Sequence, residues 1–461
     1  MKSFKTLFNK EHAGSILSIG WPLIINNLAI MSMNLADTIM SGQHSTDTLA
    51  AVAAGGAVWT ILFLTGMGII MALSPITAQY FGKNEFTKAG HYLRQTLWLA
   101  VMVSIPLAIA GQYCETVFEA FKLEPEIVEL ADGYLSAIVY GLPLSYVYMS
   151  FRMSSEGIGH TRPVMYISLL AAVLNVFLNW ALIYGHFGFP ELGAVGCGIA
   201  SAITLSLMAI VMLWYVSGHY RYKPLKIFSH FEWPSASSIY EILKLGFPIG
   251  VSIVAEVGLF SCAALLMGSL GKNIIAAHQV AINYAAFMFM VPFAMSMANT
   301  SVVGQLLGQG KVREARTAGH TGMVLATGFM TVSALIMIVF ATQIIGFYTD
   351  DPAVAKVAIG LLGMAAAFQI VDGIQVAASG ALRGFKDTQI PMYMNLFSYW
   401  AIGFVVAWYL GIHKSMGPNM VWFGLVIGLA VAAVLLTWRF EVVSRRAIPA
   451  PVPETISGSA V

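Results

Sequence analysis

Apolar residues in this chain run in long blocks, not in alternation. Twelve stretches are each long enough for an α-helix to cross the hydrocarbon of a bilayer, which takes about 20 mainly apolar residues. They fall at roughly 15–40, 50–73, 92–112, 130–152, 163–185 and 192–217, and again at roughly 241–266, 275–298, 319–345, 354–378, 391–411 and 417–440. Several contain proline (Pro22, Pro106, Pro143, Pro248, Pro292), which membrane helices tolerate when neighbours re-satisfy the freed backbone groups. The short alternating segments of a membrane β-barrel do not occur. The pattern predicts an all-α polytopic membrane protein with twelve transmembrane helices.

Composition narrows the picture. Of 461 residues, 58% are hydrophobic and only 10% are charged, against about 25% charged in a soluble domain. So few charges cannot coat a water-soluble globule, which disfavours a soluble enzyme, a secreted disulfide scaffold, a nucleic-acid binder and a disordered chain. The three cysteines, Cys114, Cys197 and Cys262, are too far apart for a CxxC metal or redox pair and read as small apolar packing residues. The opening MKSFKTLFNKEHAG is polar and basic, but the apolar stretch after it outruns a signal peptide and reads as the first span.

The formal net charge of +2 says little, but its distribution says more. Both termini and the links after spans 2, 4, 6, 8 and 10 carry 20 of the 24 Lys and Arg, from Lys2, Lys5 and Lys10 through Arg152 and Arg383 to Arg446. The opposite loops hold only Lys122, Lys272, Lys356 and Lys414. Basic loops stay on the cytoplasmic side, so both termini are predicted there.

The chain also repeats itself at a near-constant offset of 226–228. Gly20-Trp21-Pro22 matches Gly246-Phe247-Pro248, QYFGKNEFTKA (79–89) matches QLLGQGKVREA (305–315), and EGIGHTRPVMY (156–166) matches RGFKDTQIPMY (383–393) with one residue inserted. The predicted organisation is a six-helix lobe over 1–218, a cytoplasmic linker over 219–238, a second six-helix lobe over 239–446 and a flexible tail over 447–461. Parallel repeats related by an axis along the membrane normal are a transporter architecture, with the site near mid-membrane at the lobe interface.

Ionisable residues deep in a span cost about 2.5–3.5 kcal/mol on insertion scales and are functional candidates by default. Asp37 lies late in span 1, Glu256 in the middle of span 7 and Asp372 late in span 10. No Lys or Arg is expected inside a span at comparable depth, so the charge must be met by a proton, a metal cation or a cationic substrate. Asn175 and Asn179 in span 5 share a helix face at a spacing of four, suited to a hard cation or to holding a protonated carboxyl. Gln279 in span 8 is a weaker candidate, and Ser201 and Thr204 read as packing hydroxyls. Oxygen ligands permit Na⁺ at Glu256 and Asp372 as readily as protons. No phosphate-binding loop, HExxH or GxSxG motif is present, so the reading is not an enzyme and requires no resident cofactor.

Taken together, these residues resemble the multidrug and toxic compound extrusion family, in its NorM-type branch. The resemblance spans about residues 12–442 and rests on PLIINNLAIMSMNLADTIMSG, LNVFLNWALIYGHFGFPELGAVGCGIASAI, GFPIGVSIVAEVGLF, AAHQVAIN and VDGIQVAASGALRGFKDTQIPM. It implies two six-helix bundles in a bacterial cytoplasmic membrane, exporting cationic amphiphiles against Na⁺ or H⁺ by alternating access, as a monomer. It matches Asp37, Asn175 and Asn179 to an amino-terminal cation site, Glu256 and Asp372 to a carboxyl-terminal acid pair, and Gln279 to a polar cavity residue. Asp350 and Asp351 resemble outer-loop residues that greet a cationic drug. Gly258 departs from relatives that carry a hydroxyl two residues after the acid, which weakens a Na⁺ assignment at Glu256. The alternative is a lipid-linked saccharide flippase on a related plan, but basic residues to receive pyrophosphate are missing from the spans.

Overall fold

The computed structural model describes residues 8–120 and 123–448. Lys2, Lys5, Lys122 and the tail from 449 onward lie outside the described residues. No strand occurs among the described residues.

The twelve expected spans are present, most of them longer than their apolar cores. They are α1 (Lys10–His44), α2 (Thr46–Gly82), α3 (Phe86–Gly111), α4 (Pro125–Val139 and Leu142–Gly157), α5 (Arg162–Ile183) and α6 (Gly193–Gly218), followed by α7 (Ala236–Leu270), α8 (Lys272–Gly308), α9 (Val312–Val339), α10 (Pro352–Gly384), α11 (Gln389–His413) and α12 (Pro418–Arg446). At 1.5 Å per residue, the 37 residues of α8 reach about 55 Å, well past a hydrocarbon core of about 30 Å. Helix starts follow local chemistry. The Asn9 side-chain Oδ1 accepts from Glu11 N (2.8 Å) and His12 N (3.4 Å), and Ser45 Oγ accepts from Thr48 N (3.0 Å), satisfying amides that lack intrahelical partners. Pro22 in α1 and Pro248 in α7 sit at the same place in the two repeats and leave both helices continuous.

Besides the turn at Met71-Ala72 within α2, two spans depart from simple helices. The fourth is bent by 46° at Tyr140-Gly141, just before Pro143, because proline cannot donate to the preceding turn. In α11, Phe397–Phe404 and Tyr409–His413 are π-helical, a widening common near functional sites.

Helices α1–α6 and α7–α12 form two six-helix lobes. At the end bearing the basic loops, here called the basic end, the lobes share one apolar core: Ile16 and Leu23 of the first pack in the same cluster as Ala298 and Val303 of the second. Towards the opposite end each lobe has its own core, one around Val52, Leu135 and Cys197, the other around Leu259, Leu361 and Trp422. The lobes therefore meet at one end and separate towards the other.

The seam at the basic end obeys the repeat. Gln79 Nε2 donates to Gly384 O at 2.8 Å, and its repeat-mate Gln305 Nε2 donates to Gly157 O, the mate of Gly384, at 2.7 Å. Each glutamine of one lobe thus covers a helix-terminal carbonyl of the other. The backbones can approach this closely because Gly82 and Gly308 are bare: a Cβ on Gly82 would lie 2.1 Å from Gln305 O, and one on Gly308 would lie 2.2 Å from Gln79 O. Small residues at such crossings are how membrane helices pack without a hydrophobic drive between them.

Candidate functional site

Three helices of the first lobe converge on Asp37. Asn179 Nδ2 donates to Asp37 Oδ1 at 2.5 Å, and Ser201 Oγ donates to Asp37 Oδ2 at 3.1 Å. Asn175 closes the group, accepting from Asn179 Nδ2 at 3.3 Å and donating to Ser201 Oγ at 3.4 Å. Asn175 and Asn179 are wholly buried, and Asp37 is 8% exposed. Two oxygens remain uncommitted, Asn179 Oδ1 and, one turn beyond Asp37 on α1, Ser41 Oγ. A carboxylate with neutral oxygens and no basic partner suits a small hard cation or a proton. The spacing of the two asparagines led to this cluster, but Ser201 was missed. Thr204 does bond the backbone of its own helix, to Ala200 O at 2.8 Å.

The second lobe arranges its acids differently. Glu256 of α7 and Asp372 of α10 line one cavity of ≈ 480 Å³. Its apolar wall includes Phe260, Phe289, Met290 and Phe293, and Leu64 and Met67 reach it from α2 of the other lobe. Asp372 is 3% exposed, and its Oδ1 has no hydrogen-bond partner. One turn on, Gln375 Nε2 donates to Tyr399 Oη at 2.7 Å, which leaves Gln375 Oε1 without a partner. Tyr399 lies in the π-helical part of α11, beside Glu256. Buried carboxylate and amide oxygens without donors attract a positively charged or protonated group.

Gly258 finds its explanation here. A Cβ at that position would lie 3.1 Å from the Trp400 ring, so the space that a hydroxyl would need is taken by an indole from the π-helical segment.

Four expectations need correction. The cavity is not free of basic residues, because Arg383 lines it. Residues 372, 376, 379 and 383 form one stripe on α10, and that spacing could have revealed the guanidinium. Arg152, expected in a loop, is instead buried within α4, where Nε holds Glu156 Oε1 at 2.8 Å and Nη2 reaches Asn27 Oδ1 at 3.1 Å. Asp350 and Asp351 do not line the cavity; both are exposed on the loop before α10. The Asp351 carboxylate caps that helix, accepting from Ala353 N at 2.8 Å. Gln279 is also outside the lining, exposed on the same face of α8 as Ile282, Ala286 and Phe293, one turn beyond Ile282 and away from the basic end.

The MatE family profile matches this chain twice, over residues 22–181 and 248–409. The chain belongs to the multidrug and toxic compound extrusion family, in its NorM-type branch. The two matched segments begin 226 residues apart (248 − 22), in step with the repeat. Among its relatives, the multidrug resistance protein PmpM of Pseudomonas aeruginosa is 39% identical, with 94% of this chain and 92% of PmpM aligned. The probable multidrug resistance protein NorM of Pasteurella multocida is 37% identical over 94% of each chain. The multidrug resistance protein MdtK of Yersinia pseudotuberculosis is 36% identical over 93% of this chain and 95% of its own. Among solved structures, the eukaryotic MATE transporter AtDTX14 has the same fold, with a TM-score of 0.86 at 20% identity over 95% of this chain and 98% of its own. Membership makes this an integral inner-membrane transporter, not an enzyme.

Proposed function

We propose that the protein is an antiporter that exports amphiphilic organic cations in exchange for Na⁺ or H⁺ by alternating access. The observation that carries this reading is the pairing of Glu256 and Asp372, with an unpartnered Asp372 oxygen, in an apolar cavity large enough for a drug-sized molecule. The names of PmpM, NorM and MdtK support the substrate class. In this mechanism an organic cation enters from the cytoplasmic side and neutralises the ionised pair. On the far side, Na⁺ or H⁺ competes at these carboxylates or binds at Asp37 with Asn175, Asn179 and Ser201, favouring release. Coupling follows only if drug and ion prefer different conformations, since equal affinity for both shifts nothing. The excess of Lys and Arg at the basic end supports cytoplasmic termini. The protein works as a monomer in this reading, with its cavity built almost wholly from one lobe.

Ethidium efflux from proteoliposomes tests this, with Na⁺ and pH gradients imposed separately. The expected outcome is efflux that responds to at least one gradient and is lost in Glu256→Gln and Asp372→Asn. Wild-type rates in both normally inserted variants would overturn the assignment.

A further inference from the structure

Arg383 brings a positive charge into a cavity whose other charged lining residues are the acids Glu256, Asp372 and Asp387. Its guanidinium has five N–H donors, yet among the described residues it makes a single hydrogen bond, from Nη2 to Ser296 Oγ at 2.7 Å. It forms no ion pair with any carboxylate of the described residues, although Glu156 and Glu256 are its acidic neighbours. Glu156 is already committed to Arg152. Arg383 is only part-buried and lines the same cavity as the acids, so its free donors have somewhere to point.

The geometry is that of a two-ended site. Arg383 follows Asp372 by eleven residues on one stripe of α10, which places the two Cα atoms about 16 Å apart along the axis. Helical side chains lean towards the amino terminus of their helix, Asp372 and Arg383 alike, so their charged ends stay separated by a gap of that order. Between the ends lie Val376 and Ser379 on α10, with Phe289 and Phe293 on the facing α8. Asp372 at one end, a planar guanidinium at the other, Glu256 beside both and an aromatic wall between them complement a flat apolar body bearing a cation and a carboxylate.

We propose that Arg383 is a specificity-determining residue that receives the carboxylate of zwitterionic amphiphiles while Asp372 receives their cationic end. This rests on the export reading above and names a substrate class within it. Guanidinium recognises carboxylate through paired, charge-assisted hydrogen bonds, which an ester of the same skeleton cannot form as well.

The test uses rhodamine B, which carries a free carboxylate, and its ethyl ester, which does not. Equilibrium binding to the purified full chain and efflux from proteoliposomes are measured for wild type, Arg383→Gln and Arg383→Lys. Wild type should bind the acid more tightly than the ester. That preference should fall about tenfold in the Gln variant and partly survive in the Lys variant, with ester binding little changed. An unchanged preference in Arg383→Gln overturns this inference and leaves the export reading standing. Loss of both dyes alike in both variants makes Arg383 structural and also overturns it. A wild-type preference for the ester overturns it without recourse to any variant. Wild type that binds and exports neither dye, nor ethidium, overturns both readings.

Discussion

The two lobes share a fold but not a chemistry. Asp37 has Ala263 as its mate at the repeat offset of 226, Glu256 has Ile30, and Asp372, at 227, has Ser145. The first lobe encloses one carboxylate within neutral amides and a hydroxyl. The second exposes two to a cavity of ≈ 480 Å³. The difference teaches that duplication conserved what packs the bundle, including Pro22 with Pro248, Gly82 with Gly308 and Gln79 with Gln305, while the acids were placed separately. The enclosed site offers the uncommitted oxygens of Asn179 and Ser41, and the open one offers a cavity of drug-sized volume.

That contrast is easiest to break at the acids themselves. Asp372→Asn should weaken equilibrium ethidium binding on the order of a hundredfold, since unpairing a buried charge costs at least about 2 kcal/mol. Asp37→Asn should leave that binding within about twofold and alter only the dependence of efflux on the driving cation. Equal losses of binding in both variants would dissolve the distinction between the lobes.

A finer probe of the enclosed site is Ser201→Ala. Hydrogen bonds to charged groups contribute about 1.5–3 kcal/mol. The cation concentration for half-maximal efflux should therefore shift about tenfold, with drug binding unchanged. An unaltered cation dependence would remove Ser201 from the site.

At the seam the lobes should behave as equals. Gln79→Ala and Gln305→Ala each delete one of two matched hydrogen bonds, each contributing about 0.5 kcal/mol or more. The double variant should raise maleimide labelling of a Ser379→Cys reporter, applied from the basic end, about fivefold, and the single variants should contribute similar shares. A strongly unequal split would show that one lobe dominates closure.

The smallest expected effect concerns another repeat pair, His160 and Asp387. Asp387 accepts from Arg439 Nε at 2.7 Å. His160, in the link between α4 and α5, is pushed down to about 4 by burial and then by Arg221. An unfolded histidine takes up its proton near 6.5, so the stability from neutral His160 is present above that pH and drains as pH falls towards 4. His160→Asn should flatten the decline in Tm between pH 7 and pH 5 by about 2 °C. An identical decline in the variant would exclude this histidine as its source.

Much of this architecture is legible in the amino-acid sequence itself. The twelve spans follow from hydropathy because a bilayer requires every backbone polar group to be satisfied within a helix, and that demands long apolar runs. The lobes follow from the repeat, and Asp37, Glu256 and Asp372 announce themselves because charge within a span is rare and costly. Asn175 and Asn179 were readable because a spacing of four shares a helix face. Tertiary structure alone decided which neighbours those residues meet. Ser201 joins Asp37 because α6 packs beside α5 and α1, and nothing local distinguishes it from Thr204, which bonds its own backbone. Arg383 and Arg152, near helix ends, read as loop charges until the shared core drew those ends inward. Asp351 proved to be a cap because its carboxylate found the amide of Ala353. Periodicity assigns a residue to a face of its own helix, but the partner across the gap depends on how helices distant in sequence are rotated and brought together, and packing sets that.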